Sequence, residues 1–138
     1  MSIKFYIQSN ELITELMAEM SKAEIRRFLT TGTYTGKLAA VKKEGSSHVA
    51  PIWFMLDYRK TGDNTGNIYF TTGSSSIKAK NIQRDKRVRL CIDDQIPLFS
   101  FVVIRGIAKI FPYRKRQFLK WATKIAERCG KEKCQTIW

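Results

Sequence analysis

Histidine, paired cysteines and long apolar runs are all scarce in this sequence, and each scarcity argues against a class of protein. His48 is the only histidine, and the three cysteines form no Cys-x-x-Cys pair, which argues against a structural zinc site. No apolar run approaches the roughly 20 residues that a membrane-spanning helix needs. The N-terminus carries charges and amides where a signal peptide would be apolar. We therefore expect a cytoplasmic protein with reduced thiols, no metal and no membrane partner.

Sequence motifs of phosphate-binding loops and of nucleophilic catalysis are also missing. Neither GxxxxGK[ST] nor GxGxxG occurs. A histidine-dependent triad would need His48, which stands beside a predicted hairpin turn with no nucleophile motif, so we expect a strand residue hydrogen-bonded near that turn. Asp93 and Asp94 begin a loop, where aspartate favours turn geometry. Cys91 falls within a predicted strand, and we expect it in the core. No catalytic side chain is predicted.

Acidic residues are few, and the charge balance is correspondingly positive. The chain has 12 acidic against 25 basic residues, a net charge of +13. Residues 1–36 are neutral, whereas residues 105–138 carry ten basic and two acidic groups. Such a surplus attracts phosphates, from a nucleotide cofactor up to nucleic acid. A solvated helix face is the commoner cause of a charge run.

Hydrophobic periodicity and turn signals predict one domain over residues 1–138, with two opening helices, a set of largely antiparallel strands and a closing helix. Short strands joined by tight turns favour a closed or nearly closed barrel. Gly106 marks the expected bulge or bend of the last strand. The predicted helices cover residues 12–20, 21–32, 77–84 and 113–128, the last with Leu119 on its apolar side, and the predicted strands cover residues 38–41, 48–56, 67–72, 87–92 and 99–111.

Residues 69–81 combine several features of a phosphate site. The strand ends in Thr71 and Thr72, a serine-rich turn follows, and the next helix starts with Lys78 and Lys80. Hydroxyls, free backbone N–H groups and the positive end of a helix dipole converge at such a point. Ordinary helix capping by a serine, with lysines on the surface, explains the same pattern, and the residues alone leave both explanations open.

Five stretches of the sequence, taken together, form a recognisable pattern. They are residues 36–41, 48–57, 69–81, 84–94 and 99–106. In this order they resemble the pyridoxamine-phosphate-oxidase-like split β-barrels. The resemblance covers about residues 24–128 and is closest to the deazaflavin-dependent subgroup, whose members bind FMN or the deazaflavin coenzyme F420. It implies a mainly β fold with flanking helices, a split barrel of the FMN-binding type, and a homodimer with cofactors at the subunit interface.

The same resemblance implies a cofactor-binding set and a reaction type. The cofactor would carry out hydride transfer with an unidentified small molecule, so the protein itself needs no acid–base set. FMN is the first expectation, and the deazaflavin is the alternative. The implied residues are Pro51, Ile52 and Trp53 along the ring, Thr71, Thr72, Ser76 and Lys78 at the phosphate, and Asn81 at the end of that segment.

Two departures from the family pattern lie at the C-terminus. Residues 131–138 match nothing in the family's final strand, so we expect that strand to be absent or altered. The substrate-binding segment of true pyridoxamine phosphate oxidases has no counterpart, which argues against that activity. A cofactor carrier or sensor without catalysis remains an alternative. A nucleic-acid-binding barrel is disfavoured, because the aromatic residues of apolar strands are not interleaved with basic ones; these are Trp53, Phe54, Phe99 and Phe101. Haem binding would depend on His48 alone.

Overall fold

The computed structural model describes residues 2–13, 20–32, 34–57, 66–111 and 114–129, with the backbone alone for residues 2–13. These residues form seven strands and three helices, with four consecutive strands between the first and second helices. The strands are β1 (Ser2–Ile13), β2 (Gly36–Val41), β3 (Ser47–Ile52), β4 (Met55–Asp57), β5 (Asn67–Gly73), β6 (Arg87–Asp93) and β7 (Phe101–Phe111), and the helices are α1 (Lys22–Thr30), α2 (Ile77–Arg84) and α3 (Lys115–Cys129).

The described strands form one antiparallel sheet in the order β3-β2-β6-β7-β1-β5-β4. Its two edge strands, β3 and β4, are neighbours in the sequence, with only Trp53 and Phe54 between them. A connection that short spans at most roughly 11 Å. The sheet must therefore curl until its edges approach each other, which gives the split barrel with flanking helices that the sequence predicts.

The predicted first helix, residues 12–20, is wrong at the positions that the structure describes, because Ser2–Ile13 is a strand. β1 lies between β5 and β7 and pairs with both, from Ser2↔Gly73 on one side to Ile13↔Val103 on the other. Leu12 and Ile13 therefore belong to the sheet, and Met20 precedes α1 without being helical. Leu16 and Met17 lie outside the described residues. Backbone pairing with two long neighbours outweighs a local helical spacing.

The irregularity predicted at Gly106 occurs in the strand that faces it. The register of β1 against β7 shifts between Ser9 and Glu11, opposite Gly106 and Arg105. The extra residue is therefore Asn10, and it makes a bulge in β1. The single strand predicted over residues 48–56 is interrupted after Ile52 and forms two strands, β3 and β4.

The core lies inside the curled sheet and under α1 and α2. Val88, Leu90 and Ile92 alternate along β6 and point into this core. Cys91 lies on the opposite, outer face and is half-buried, so its predicted place in the core is wrong. Partial burial, and secondarily the charge of Asp93, raise the pKa of the Cys91 thiol.

The helices follow their local sequence signals closely. The predicted capping box of α1 is confirmed, with the Glu24 amide donating to Ser21 Oγ at 3.2 Å and the Ser21 amide donating to the Glu24 carboxylate at 2.7 Å. The bounds of α2 agree with the prediction. On α3 the predicted apolar position Leu119 is instead 53% exposed. Within the described ranges, no helix is long and apolar enough to cross a bilayer. Residues 130–138, where the family's final strand was expected to be altered, lie outside those ranges.

Candidate functional site

A cavity of about 230 Å³ lies where the edge strand β3, strand β5 and helices α2 and α3 meet. Five of its seven described lining residues belong to the cofactor-binding set predicted from the sequence. The structure thus brings residues from two separate sequence segments, 51–53 and 71–78, to one place. The lining residues are Thr35, Pro51, Ile52, Trp53, Thr71, Lys78 and Ile125.

The two adjacent threonines of β5 point to opposite faces of the sheet. Thr71 is half-buried and lines the cavity. Thr72 is only 8% exposed, and its Oγ1 lies 3.1 Å from Ser76 Oγ. Side chains alternate along a strand, so a bound ligand in this cavity could meet only the first of the two hydroxyls directly. Thr72 instead holds the turn that starts α2.

Ser76 is the N-cap residue of α2. Its Oγ accepts a hydrogen bond from the Ala79 amide at 3.2 Å, and its carbonyl accepts one from the Lys80 amide at 3.1 Å. The first contact satisfies one of the N–H groups that every helix start leaves unpaired, and the second is the first regular backbone hydrogen bond of the helix. They also fix the first turn so that Lys78 reaches the cavity. Ser76 itself does not line the cavity wall.

Asn81 lies one turn further along α2 and is buried at 5% exposure. Its Oδ1 accepts from Arg84 Nη2 at 2.9 Å, and the same Arg84 nitrogen donates to the Val41 carbonyl at 2.7 Å. Asn81 therefore belongs to a link between α2 and β2, away from the cavity lining. Its Nδ2 is buried, with no hydrogen-bond partner among the described residues.

The break between β3 and β4 shapes the cavity's apolar wall. Phe54 is fully buried in the core, whereas the preceding Trp53 is half-buried and lines the cavity. Within the described sheet β3 is an edge strand paired only with β2, so one side of its backbone faces away from the ladder. A flat ligand lying along residues 51–53 would meet an aromatic side chain, an aliphatic one and unpaired backbone edge together.

Two cavity residues, Thr35 and Ile125, were not predicted as site residues. Thr35 stands between Tyr34, whose hydroxyl donates to Asp94 Oδ2 at 3.0 Å, and the start of β2. That hydrogen bond raises the pKa of Tyr34. Ile125 is a buried residue of α3, as its apolar spacing predicts. Neither residue lies in a motif, and only the folding of distant segments brings both to the cavity.

A second hollow, of about 620 Å³, lies on the outer face of β2, β6 and β7 and is lined in part by Arg87, Arg89 and Arg105. Arg87 is bound to Asp85 at 2.7 Å, and hydrogen bonds from Arg87 hold the pKa of Asp85 at about 2. Arg89 and Arg105 face each other in register across β6 and β7. The basic charge is thus spread over an outer sheet face and the solvated face of α3.

The described geometry gives little support to nucleic-acid binding, to a role for His48 as a ligand, or to metal binding. Of the aromatic side chains considered for stacking on bases, Phe54 is fully buried, Trp53 is half-buried in the cavity wall and Phe99 is 62% exposed. His48 is a β3 residue whose Nδ1 is buried without a hydrogen-bond partner among the described residues, contrary to the hydrogen bond expected there. In the described part of the chain, no group of three or more His, Cys, Asp or Glu could hold a metal ion.

Comparison with known proteins identifies the family. The family model described as pyridoxamine 5'-phosphate oxidase matches residues 21–134, from the cap of α1 to beyond α3. The chain belongs to the pyridoxamine 5'-phosphate oxidase family. This confirms the resemblance found in the sequence, and among the described helices and strands only β1 lies outside the matched residues.

Two solved structures share the fold of this chain. The conserved hypothetical protein Rv2991 from Mycobacterium tuberculosis superposes with a TM-score of 0.69 at 25% identity, over 89% of this chain and 74% of its own. A protein titled F420 reductase superposes with a TM-score of 0.58 at 24% identity, over 75% of each chain, which shows a shared fold. Among curated protein sequences, none matches significantly.

Proposed function

We propose that this chain binds a phosphate-bearing flavin-type cofactor, FMN or a deazaflavin, and acts as an oxidoreductase on a small molecule. The observation that carries the proposal is that Lys78 and Thr71 line the same cavity as Pro51, Ile52 and Trp53. A cation and a hydroxyl suit a phosphate, and a flat apolar wall suits an isoalloxazine or deazaflavin ring. Membership of the pyridoxamine 5'-phosphate oxidase family and the fold shared with an F420 reductase support it.

The phosphate end of the site is built from the start of α2. Ser76 satisfies the amides of Ala79 and Lys80, through its Oγ and its carbonyl. This leaves the amides of Ile77 and Lys78 at the positive end of the helix dipole for an anion. The Lys78 ammonium adds a charge-assisted contact, and the Thr71 hydroxyl approaches from β5.

The ring end of the site orients its ligand and excludes water. Trp53 and Ile125 offer apolar surface from two different elements, and the open edge of β3 offers backbone groups at residues 51–53. The bound flavin would supply the hydride chemistry. Lys78 is the only ionisable side chain among the seven described lining residues. The protein's part is therefore to bind and orient the cofactor and to keep the cavity dry.

We also propose that the functional unit is a homodimer. The 230 Å³ cavity is smaller than the roughly 300–1,000 Å³ of typical ligand pockets. One chain therefore encloses only part of a flavin nucleotide, and a second copy would cover the rest. The outer face of β2, β3, β6 and β7 is a suitable surface, since Val49 is 60% and Ile107 40% exposed there and Pro51 extends the same face to the cavity.

Titration of the purified protein with FMN, and separately with coenzyme F420, tests the proposal. Cofactor fluorescence should change with a stoichiometry of one cofactor per chain. If neither cofactor binds below millimolar concentration, the proposal is wrong. Reduction of the bound cofactor followed by turnover with added acceptors then separates an oxidoreductase from a carrier, which would hold the cofactor without turnover.

A further inference from the structure

Arg128, near the C-terminal end of α3, joins three separate segments of the chain. Its Nη1 donates to the backbone carbonyl of Tyr34 at 3.0 Å and to that of Phe54 at 3.2 Å. Its Nη2 donates to the carbonyl of Leu29, at the end of α1, at 3.1 Å. The guanidinium carbon also lies 4.2 Å from the centroid of the Phe54 ring. One side chain thus links α1, the connection before β2, and the break between β3 and β4.

Two of these contacts are to residues next in the chain to cavity-lining residues. Tyr34 immediately precedes Thr35, and Phe54 immediately follows Trp53, so Arg128 holds the chain neighbours of two cavity-lining residues. Ile125, one turn earlier on α3, is itself part of the cavity wall. The helix therefore contributes one wall residue and, through Arg128, fixes the position of two others.

The Phe54 carbonyl shows why a side-chain donor is needed at this point. The break at Trp53 and Phe54 takes these residues out of the sheet ladder. A backbone carbonyl beside a fully buried ring has little access to water and requires a hydrogen-bond donor. Arg128 supplies that donor from a planar guanidinium whose several N–H groups have fixed directions. A lysine ammonium is a point charge and cannot reproduce the three contacts and the ring stacking together.

We propose that Arg128 is a positioning residue of the cofactor site, which keeps Thr35 and Trp53 in the arrangement that receives the flavin ring. This inference rests on the proposed function. It assigns to the basic C-terminal helix a role that its charge alone does not suggest. Arg128 acts through backbone carbonyls. The charge of the exposed residues elsewhere on α3, such as Arg116, has no part in this positioning.

Three variants of the full-length chain test the inference. Arg128→Lys keeps the charge but loses the carbonyl contacts. Arg116→Lys is the matched control on an exposed position of the same helix. Ile104→Val removes one methyl group from a core residue that is 1% exposed, which provides a destabilised protein whose cavity is intact. Each variant is titrated with FMN and with coenzyme F420 at a temperature well below its unfolding transition, and the Thr35 methyl and Trp53 indole signals are followed by NMR without cofactor.

We expect Arg128→Lys to weaken binding of the cofactor at least tenfold, with both controls within twofold of the unchanged protein. If Arg128→Lys binds as tightly as Ile104→Val, the inference is wrong although the proposed function stands. If the unchanged protein binds neither cofactor, the proposed function is wrong, and the NMR signals decide the role of Arg128. Shifts of the Thr35 and Trp53 signals in Arg128→Lys alone support positioning, and equal shifts in Ile104→Val overturn it.

Discussion

Thr71 and Lys78 line the same cavity, although one lies near the end of a strand and the other in the first turn of the following helix. Three residues between β5 and α2 reverse the chain so that a hydroxyl and an ammonium converge. The turn is held by the Thr72–Ser76 contact of 3.1 Å and by the Ser76 cap. The polar end of the site is therefore formed before any ligand arrives, which lowers the entropic cost of binding.

Lys78→Ala should weaken FMN binding about ten- to a hundredfold, because a hydrogen bond to a charged group contributes roughly 1.5–3 kcal/mol. Binding of riboflavin, which has the same ring without the phosphate, should change little. Isothermal titration calorimetry with both ligands measures the difference. Lys115→Ala, at an exposed position of α3, changes the net charge equally and serves as the control.

Equal losses in the two lysine variants would contradict a defined phosphate site. They would mean that diffuse positive charge attracts the ligand. A steep salt dependence of oligonucleotide binding would then favour the nucleic-acid alternative.

The dimer proposal predicts a sedimentation mass about twice the 16.0 kDa of the chain at micromolar concentration. Val49→Lys should shift the equilibrium toward monomer, since it replaces an exposed apolar side chain of the proposed interface with a charge that dimerisation would have to desolvate. Leu119→Lys makes the same change at a 53% exposed position of α3 and should leave the mass unaltered. A monomer for the unchanged protein would refute the proposal.

Gly36→Ala should destabilise the protein by about 1–3 kcal/mol, the usual cost of overpacking a core. A Cβ at Gly36 would lie 2.6 Å from Leu90 Cδ1, and Leu90 is fully buried. Urea denaturation measures the change. Gly73→Ala is the control, because a Cβ there meets nothing within 4 Å. Similar urea midpoints for the two variants would contradict the prediction, because the core around Leu90 would then have accommodated the added methyl group.

Leu98→Gly should stabilise the protein by about 0.5–1 kcal/mol. Leu98 has a φ of 87° and is 89% exposed, so the substitution relieves a left-handed backbone and loses little burial. The relief of roughly 1–2 kcal/mol exceeds the glycine entropy cost of about 0.4–1 kcal/mol. Ile96→Gly, in the same exposed loop without a positive φ, should instead lower the melting temperature. If both variants have a lower melting temperature than the unchanged protein, the backbone at Leu98 is not strained.

Local signals predicted the parts of this fold that depend on local physics. The capping box at Ser21, the bounds of α2 and the hairpin around Gly45, whose φ is 91°, are all set by residues within one turn of each other. Such features carry their own hydrogen-bond partners in the sequence. The candidate site differs, because the residues alone indicated only the segment with Thr71 and Lys78, whereas Pro51, Ile52 and Trp53 were expected from the family resemblance.

Features that depend on distant partners were not predictable in the same way. Ile3, Phe5 and Ile7 alternate as a strand would, but the helical spacing from Leu12 onward was the stronger local signal. A strand forms over Ser2–Ile13 because β5 and β7 both pair with it. Thr35 reaches the cavity only because Tyr34 is held by groups on α3 and in the loop after β6. No pattern near Thr35 encodes that.

The interior position of β1 in the sheet has a consequence for how the protein is made. Both of its sheet neighbours follow it in the chain, since β5 ends at Gly73 and β7 at Phe111. At typical synthesis rates of about 5–20 residues per second, the stretch from Ile13 to Phe111 takes roughly 5–20 s to make. Throughout that interval at least one backbone edge of β1 lacks its partner, so the nascent chain presents an open, β-prone segment to chaperones.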